Sequence, residues 1–396
     1  KELEGQTNSY IKVKSSLQAL KDMALLYRNN LDIKVVGITG SVGKTSTKET
    51  ISYVLNKKYK VLKTEGNFNN EIGLPLTVFR LRDDDEVAVL EMGISDFGEM
   101  DRLSKIAQPD ISVITNIGLC HLENLKTRDG ILKAKTEIFN NMKPDGIAIL
   151  NGDDDKLITV DEVNGKKPER FGINYKDGVY AKDIENLGLS GTKFVISGLN
   201  CVDGCKDFEV TVPVPGHHMI YNALAAACVG AALELTSAQI ADGIADLKTI
   251  SGRNNIIKTS KYTLIDDCYN ANPVSMKASV DVLDMAIGRK VCILGNMYEL
   301  GENEKNLHYD VGQYIGTKNI DVLITIGDLA RHIAMGTDDY METHFGSYDC
   351  KIHSFDDMEE FNMAYSSILK DNDNILIKAS HAMKFADIVE LLSKDN

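Results

Sequence analysis

The stretch Gly37-Ile-Thr-Gly-Ser-Val-Gly-Lys-Thr-Ser-Thr47 decides most of what this sequence predicts. An apolar run, residues 33–38, leads into it, and a helix-compatible segment, residues 44–56, follows it. A strand, a glycine-rich turn and a helix in this order direct backbone N–H groups and the positive end of a helix dipole toward one point, where phosphate binds. The stretch therefore predicts a nucleotide phosphate site.

Two side chains of the stretch suit this chemistry. Lys44 can reach the β- and γ-phosphates, and the hydroxyl of Thr45 can bind Mg²⁺. The strict pattern G-x-x-x-x-G-K-[ST] is not met, because Ile38 stands at the position of the first glycine. A plain glycine turn between a strand and a helix is the alternative interpretation. The Gly-Lys-Thr sequence at the start of the helix favours an ATP site.

The composition excludes several classes of protein. With 396 residues the chain is too long for one core, and 43% hydrophobic and 26% charged residues are typical of a globular protein in water. A net charge of −14 argues against a nucleic-acid-binding surface. No apolar run approaches the length of a membrane span, and we expect no signal peptide and no membrane partner. Seven cysteines without a disulfide framework indicate reduced thiols, so a cytoplasmic protein is expected.

The pattern along the chain predicts an α/β protein of two domains behind a short connector. Residues 1–31 carry a helical pattern and are expected to form the connector; its apolar stripe contains Leu17, Leu20, Met23, Ala24 and Tyr27. In residues 32–249, strands alternate with helices, which predicts a central P-loop ATPase domain with a mostly parallel sheet. The expected strands are 33–38, 87–91, 111–116 and 146–150, and the expected helices are 44–56, 98–107, 127–142, 218–234 and 237–247, with a small β-rich excursion at 165–215.

Residues 250–396 show a second alternation of strands and helices. It predicts a C-terminal Rossmann-like, doubly wound domain. The expected strands are 262–266, 291–294, 322–326 and 374–378, and the expected helices are 273–287, 304–317, 357–369 and 384–393. The segment lacks G-x-G-x-x-G, so it predicts no dinucleotide site.

Two polar residues follow strands of the central domain. Glu91 ends the strand 87–91, where a carboxylate beside the phosphate loop can supply a magnesium ligand. A helix-capping or surface acid is the alternative. His121 follows the next predicted strand and is expected at the same edge of the sheet, although a lone histidine is usually structural or solvated.

Three further segments each allow a structural and a functional interpretation. Lys133, Lys135 and Glu137 share a predicted helix, and their spacing alone indicates a solvated face. His218 and Asn222 stand four residues apart on one face of an Ala-rich helix, where a ligand contact and a buried hydrogen bond are equally supported. Acidic and amide groups in 266–272 precede a helix that begins with Pro273, which suits a ribose or polar ligand but also ordinary turn chemistry.

Taken together, five strings resemble the Mur ligases of peptidoglycan synthesis. The resemblance extends from Leu17 over nearly the whole chain. The last two strings resemble the branch of the family that adds a dipeptide rather than a single amino acid. The strings are Thr39-Gly-Ser-Val-Gly-Lys-Thr-Ser-Thr-Lys48, Gly66-Asn-Phe-Asn-Asn-Glu-Ile-Gly-Leu-Pro75, Glu91-Met-Gly93, Tyr269-Asn-Ala-Asn-Pro-Val-Ser-Met276 and Leu294-Gly-Asn-Met-Tyr-Glu-Leu-Gly301.

The resemblance implies a fold and a reaction. It implies an N-terminal uridine-nucleotide domain, a central ATPase domain and a C-terminal Rossmann-like domain. It implies that ATP phosphorylates the terminal carboxylate of UDP-N-acetylmuramoyl tripeptide, and that the amine of D-alanyl-D-alanine attacks the acyl phosphate. A monomer is expected. Because the chain begins at Lys1 and reaches its connector helix almost at once, we expect most of the uridine domain to have been removed.

The resemblance also implies roles for individual residues. Lys44, Lys135 and His121 would be catalytic. Thr45 and Glu91 would hold one Mg²⁺, and His121 a second. Lys135 would carry a carbamate and so become another metal ligand, which reverses its interpretation as part of a solvated face. The implied ATP-binding residues are Gly40, Ser41, Gly43, Lys44, Thr45, Ser46, Asn222, Arg253 and Asp267, the last at the ribose; the implied substrate-binding residues are Asn69, Asn70, Asn270, Asn272, Lys378 and Ser380.

The sequence departs from the family pattern in the C-terminal domain. Asn296 stands where relatives carry Asp, and Lys378-Ala-Ser-His381 replaces Lys-Gly-Ser-Arg, which leaves the role of this segment in holding the dipeptide open. Two other functions are considered. A ligase for another carboxylate, such as a folate or a polymer, is disfavoured by the string 269–276. A non-catalytic ATP-binding paralogue is disfavoured by the intact residues of the phosphate loop and the metal site.

Overall fold

The computed structural model describes residues 11–249, 251–345 and 350–394, which form two α/β units, each built on one sheet. The first ten residues of the predicted connector lie outside this range, as do the positions 250, 346–349 and 395–396 of the predicted C-terminal domain. None of the described helices is both long and apolar enough to cross a membrane.

The first unit contains a nine-stranded sheet in the order β2-β3-β1-β4-β5-β6-β7-β8-β9. Neighbours from β2 to β7 are parallel, and the last two pairs are antiparallel, so the predicted mostly parallel sheet is confirmed. The β-rich excursion continues this sheet. The strands are β1 (Lys34–Thr39), β2 (Val61–Lys63), β3 (Val87–Glu91), β4 (Ile111–Ile114), β5 (Ile147–Asn151), β6 (Glu169–Gly172), β7 (Val179–Asn186), β8 (Thr192–Ser197) and β9 (Asp207–Val212).

Helices cover both faces of this sheet, which explains its nearly continuous apolar strands. In β1, Val36 and Ile38 face one core, and Val35 faces the other. The helices are α1 (Ser16–Asn29), α2 (Lys44–Leu55), α3 (Gly73–Val78), α4 (Glu99–Ala107), α5 (Leu122–Leu125), α6 (Arg128–Thr136), α7 (His218–Ala232) and α8 (Ser237–Ala245).

The sequence prediction did not include the short elements β2, α3 and α5 of the first unit. Three predicted features also differ from the structure. The expected helix 127–142 divides into α6 and a 3-10 helix, Glu137–Asn141, where the Glu137 carboxylate accepts backbone N–H groups at the start of α4. The expected strand 111–116 stops at Ile114, because the next two residues turn toward the phosphate loop. In α1 the predicted stripe was partly wrong, since Leu17 and Met23 are exposed.

The buried face of α1 is more polar than its pattern suggested. Arg28 is 3% exposed and donates to the backbone carbonyls of Ala107, Leu31 and Ile33. A buried guanidinium is tolerated when its N–H groups are bonded. The predicted connector helix thus packs on the central unit through a hydrogen-bonded arginine as well as through Ala24.

The second unit contains a six-stranded sheet in the order β10-β11-β15-β12-β13-β14, parallel except for its first strand. Its doubly wound architecture confirms the prediction. The sequence missed β10, β14 and α11: the edge strands are only half-buried, and α11 is polar. The elements are β10 (Asn255–Lys258), β11 (Thr263–Asp266), α9 (Pro273–Asp284), β12 (Lys290–Gly295), α10 (Glu304–Gly316), β13 (Val322–Ile326), α11 (Arg331–Phe345), β14 (Lys351–Phe355), α12 (Met358–Ile368), β15 (Asn374–Lys378) and α13 (Ala386–Lys394).

Candidate active site

Sheet register brings the predicted nucleotide residues to one edge. Strand β1 pairs with β3 on one side, Ile38 opposite Glu91, and with β4 on the other, Thr39 opposite Ile114. The phosphate loop, Glu91 and the segment after β4 therefore leave the sheet at neighbouring carboxyl ends. Ligands of parallel α/β sheets bind at this edge.

Hydrogen bonds from the segment after β4 fix the conformation of the phosphate loop. Asn116 accepts the Val42 N–H through Oδ1 at 2.9 Å and donates to the Val42 carbonyl through Nδ2 at 2.9 Å. Thr115 Oγ1 donates to the same carbonyl at 2.7 Å. A Cβ at Gly40 would lie 1.9 Å from Thr115 Oγ1, so only glycine fits there. No role for this Thr-Asn pair was predicted from the sequence, although its place after β4 could have indicated one.

The start of α2 offers donors to an anion. The first helical hydrogen bond runs from the Thr47 N–H to the Gly43 carbonyl at 2.8 Å. The N–H groups of Lys44, Thr45 and Ser46 precede it and have no acceptor within the helix. Gly43 has a left-handed φ of 82°, which turns the chain into the helix. Together with the positive end of the helix dipole, these donors form an anion site.

The loop faces a cavity of about 730 Å³ that is lined by both units. Most of the predicted site residues line it. Asn222 does so while accepting the Thr47 hydroxyl at 2.9 Å, which ties α7 to α2. The predicted residues that line the cavity are Ser41, Gly43, Lys44, Thr45, Ser46, Asn69, Glu91, Asn222, Arg253, Asp267, Asn270, Asn272 and Lys378.

Five predicted residues lie outside the cavity wall: Gly40, Asn70, His121, Lys135 and Ser380. The first lies behind the loop against Thr115. Asn70 Oδ1 accepts two backbone N–H groups at the start of α3, and the Ser380 hydroxyl accepts the Tyr298 N–H at 2.9 Å.

Glu91 has the environment of a cation ligand. The residue is 2% exposed. Its Oε1 accepts from Asn69 Nδ2 at 2.9 Å, whereas its buried Oε2 has no hydrogen-bond partner among the described residues. The Lys48 ammonium lies 3.9 Å from Oε2 and donates instead to the Thr64 carbonyl at 2.7 Å. A buried carboxylate oxygen without a bonded partner, beside Thr45 and the phosphate donors, fits a divalent cation.

Lys135 and His121 form a poorly solvated basic group near Lys44. Lys135 is 1% exposed, and burial, reinforced by the nearby Lys44 ammonium, lowers its pKa to about 7. Burial also lowers the pKa of His121, and the charges of Lys135 and Lys44 add to this effect. Near neutral pH, both side chains therefore favour their uncharged forms. These forms can act as nucleophiles or bind a metal ion.

The C-terminal unit contributes an ion-paired cluster to the cavity. Lys378, 2% exposed, donates to Asp267 Oδ2 at 2.6 Å and to the Asn270 carbonyl at 3.0 Å. The Arg253 guanidinium lies 4.1 Å from the centroid of the Tyr269 ring. Lys378 is thus bound to a residue predicted at the ribose, and this ion pair was not predicted from the sequence.

The central and C-terminal units contact each other beside this cluster. Asn254 Nδ2 lies 3.1 Å from His218 Nε2, and its backbone N–H donates to Asp267 Oδ1 at 3.2 Å. Burial lowers the pKa of His218. The helical spacing of His218 and Asn222 therefore serves two contacts, one to the C-terminal unit and one to α2.

Comparisons with known proteins agree with this arrangement. Residues 38–230 match the model of the Mur ligase middle domain, and residues 252–381 match that of the Mur ligase, glutamate ligase domain. The UDP-N-acetylmuramoyl-tripeptide–D-alanyl-D-alanine ligase of Bacillus subtilis is 37% identical over 388 residues, 97% of this chain and 81% of that protein. The Escherichia coli enzyme of the same name is 32% identical, with coverages of 97% and 82%.

Solved structures extend the similarity to three dimensions. MurF from Acinetobacter baumannii superposes with a TM-score of 0.86 at 30% identity, covering 97% of this chain and 82% of that chain. MurF from Thermotoga maritima in complex with ADP gives a TM-score of 0.85 at 30% identity, covering 100% and 87%. The matches extend across both units and include the phosphate loop. This chain belongs to the Mur ligase family.

Proposed function

We propose that this chain joins D-alanyl-D-alanine to UDP-N-acetylmuramoyl tripeptide, converting ATP to ADP and phosphate. The observation that carries the proposal is one cavity in which the phosphate loop and Glu91 from the central unit face Arg253 and Asp267 from the C-terminal unit. Relatives that bear this ligase's name, aligned over 97% of the chain, support the choice of substrates.

The first step transfers the γ-phosphoryl group of ATP to the terminal carboxylate of the tripeptide. A carboxylate oxygen forms the new P–O bond, and the bond to the β-phosphate oxygen breaks, which releases ADP. Lys44 and the N–H groups at the start of α2 would neutralise the phosphate charge. Catalysis of this transfer depends mainly on alignment and charge stabilisation.

Glu91 and Thr45 would hold a Mg²⁺, and the unbonded Oε2 of the buried carboxylate is the observation that fits it. The cation would supply charge neutralisation at the phosphate oxygens. We propose His121 as a ligand for a second cation. Burial and the charges of Lys135 and Lys44 lower the pKa of His121, which keeps the imidazole available as a ligand.

Lys135 is the proposed site of a carbamate. The lysine ammonium first loses one proton. The neutral amine then adds to CO2, which forms an N–C bond and releases a second proton, so a buried cation becomes a carboxylate-like group. Its pKa of about 7 makes the neutral amine abundant near neutral pH. Among the described residues, no carboxylate forms an ion pair with Lys135. A carbamate on Lys135 would therefore interact with the Lys44 ammonium without competition from another anion.

In the second step the dipeptide amine attacks the acyl carbon, a C–N bond forms, and the C–O bond to phosphate breaks. Asn270 and Asn272 line the cavity on the side of the C-terminal unit and would contact the substrates there. We propose that Lys378 acts by orienting Asp267 and the Asn270 carbonyl, since its three protons are directed to these groups.

The test is a ligation assay with purified protein. We expect phosphate release and a ligated product, identified by mass spectrometry, only when UDP-N-acetylmuramoyl tripeptide, D-alanyl-D-alanine, ATP and Mg²⁺ are all present. Lys44→Met should abolish both signals. Equal turnover with free D-alanine would contradict the dipeptide specificity, and phosphate release without either substrate would contradict ligation. Light scattering during gel filtration would test the expected monomer.

A further inference from the structure

The loop after β12 contacts the central unit at His121, and it has no role in the function proposed above. This loop, residues 296–300, is fixed at three backbone positions. The Met297 N–H donates to His308 Nε2 at 2.8 Å, the Tyr298 N–H donates to Ser380 Oγ at 2.9 Å, and the Asn296 carbonyl accepts the Ser380 N–H at 3.0 Å. Both the start of the loop and its middle are therefore held by neighbouring elements.

The side chain of Asn296 fixes the same loop from a third direction. Its Oδ1 accepts the Ala330 N–H at 2.8 Å, and its Nδ2 donates to Asp328 Oδ1 at 3.0 Å. An aspartate at this position could accept from Ala330 but could not donate to Asp328. The departure from the family pattern at Asn296 thus leaves the loop anchored, and the loop can present its two exposed residues, Tyr298 and Glu299, in defined directions.

Of these two residues, Glu299 is the one whose backbone is strained. Its φ is 63°, in the left-handed region that residues with a Cβ rarely adopt. Met297 and Leu300, on either side of the exposed pair, are buried, whereas the Glu299 side chain is 72% exposed. Strained positions of this kind persist where the surroundings determine them, and they are frequent at functional sites.

Glu299 extends from the C-terminal unit to the phosphate end of the central unit. Its Oε2 lies 3.7 Å from Nδ1 of His121, which precedes α5 and is itself left-handed, with a φ of 50°. His121 in turn lies close enough to Lys44 and Lys135 for their charges to affect its pKa. The loop therefore places a carboxylate beside the groups that surround the proposed acyl phosphate.

The charge of Glu299 is not matched by a permanent cation. Among the described residues, no lysine or arginine nitrogen lies within 4.0 Å of its carboxylate, and only His121 comes within that distance. ATP and an acyl phosphate are anionic, so an unpaired carboxylate at this end disfavours both of them. The reactant that it would favour is the dipeptide, whose amine is an ammonium at neutral pH.

We propose that Glu299 binds the primary ammonium of the incoming dipeptide and holds it next to the acyl phosphate. This inference rests on the proposed function and adds the recognition group for its second substrate. The ammonium releases one proton to water before its nitrogen attacks, and the tetrahedral adduct releases a second as phosphate departs with the C–O electron pair. Glu299 accepts neither proton; it supplies charge and position.

The test compares Glu299→Gln with the wild type in the complete ligation assay. We expect the KM for D-alanyl-D-alanine to rise about tenfold or more, because a charge-assisted hydrogen bond is replaced by a neutral one. The KM values for ATP and for the tripeptide nucleotide should change less than about twofold. Glu302→Gln, an exposed residue of the following turn, is the matched control and should behave as wild type.

Two further measurements separate recognition from structure. Hydroxylamine is a small neutral nucleophile, so its ATP-dependent formation of the acyl hydroxamate should be equal in wild type and Glu299→Gln. Glu299→Gly removes the carboxylate but suits a left-handed φ. It should therefore melt at or above the wild-type temperature while showing the same increase in dipeptide KM.

The outcomes are distinguishable. If the wild type ligates the dipeptide and Glu299→Gln has an unchanged dipeptide KM, the inference is wrong and the proposed function stands. An increased Mg²⁺ requirement with unchanged dipeptide KM would also overturn it, in favour of a cation ligand. Equal losses of hydroxamate and ligation would overturn it as well, because they would show damage to the first step. If the wild type does not ligate at all, the proposed function and the inference both fail.

Discussion

Asn69 fixes one half of the Glu91 carboxylate: its Nδ2 donates to Oε1 at 2.9 Å, and Oε2 is left without a hydrogen-bond partner among the described residues. The two oxygens therefore have different environments within one buried group. An outer hydrogen bond of this kind orients a metal-ligating carboxylate. Glycine at position 93 permits the approach, since a Cβ there would lie 3.1 Å from the Asn69 amide.

Glu91→Gln should remove Mg²⁺-dependent nucleotide binding while keeping the fold, because the side chain keeps its size and can still accept from Asn69. The wild-type melting temperature should rise with ATP and Mg²⁺ and rise less with ATP and EDTA. The variant should give the EDTA-like response in both cases, and Asn69→Ala should weaken Mg²⁺ affinity by about 10- to 100-fold. A full Mg²⁺ effect in Glu91→Gln would exclude this carboxylate as the ligand.

Gly40→Ala should distort the phosphate loop, because the added Cβ would lie 1.9 Å from Thr115 Oγ1 at a backbone φ of 153°. The bond from Thr115 to the Val42 carbonyl would have to break or shift. We expect a loss of ADP affinity of at least about tenfold, equivalent to one hydrogen bond of about 1.4 kcal/mol, in titration calorimetry.

Gly118→Ala is the matched control for that prediction. It lies beside the same loop, but its added Cβ would be 3.4 Å from Ser41 Cβ, an ordinary contact. Its ADP affinity should stay within about threefold of wild type. Equal affinities in the two alanine variants would show that the loop does not depend on the close approach of Gly40 to Thr115.

The part of the site predicted from sequence is the part fixed by strand ends. Glu91 was placed correctly beside the loop because parallel strands share one carboxyl edge. The contacts of Asn116 were not predicted, since an asparagine after a strand is equally typical of a turn. The pairing of Lys378 with Asp267, 111 residues apart, depends on the order of strands in the second sheet, which local periodicity does not determine.

In the fold, as in the site, features set by local sequence were predicted and features set by packing were not. Buried strands such as β3 and β13 were predicted with their observed bounds, because their residues are continuously apolar. The helix α11 was missed since acidic and polar residues interrupt its apolar period. The spacing of Lys135 alone predicted a solvated residue, but the structure buries it. A helical pattern shows which residues share a face of the helix. Which face is covered depends on the packing of neighbouring elements.

Burial of Lys135 should make folding stability depend on pH. The folded lysine loses its proton near pH 7, whereas an ordinary lysine keeps it to about 10.5, so the unfolded state binds more protons between these values. Relative to Lys135→Met, the unfolding free energy should rise with pH in this window by up to about 1.4 kcal/mol per unit and stay level below it. Denaturant titrations in CO2-free buffer measure the difference.

Carbamylation of Lys135 should increase as the pH rises through about 7 and then level off when bicarbonate is present, because only the neutral amine reacts with CO2. Carbon-13 bicarbonate should give a carbamate signal in the wild type and none in Lys135→Met. Lys133→Met, on the exposed side of the same helix, is the control and should retain the signal. In the denaturant titrations described above, the difference in unfolding free energy between wild type and Lys135→Met is expected to change with pH. A difference that stays constant between pH 7 and 10.5 would show that the buried amine keeps its proton.

Lys378→Met should destabilise the C-terminal unit by removing the partner of Asp267, whose side chain is 14% exposed. Loss of one member of a buried ion pair costs about 3–5 kcal/mol, because the other charge is left uncompensated. Asp267→Asn combined with Lys378→Met removes both charges, so the double variant should be more stable than the sum of the single losses predicts. Urea unfolding of the four proteins measures the coupling, and additive losses would show that the two charges do not stabilise each other. The same double variant should still bind ADP more weakly than wild type, since the carboxylate proposed at the ribose is gone.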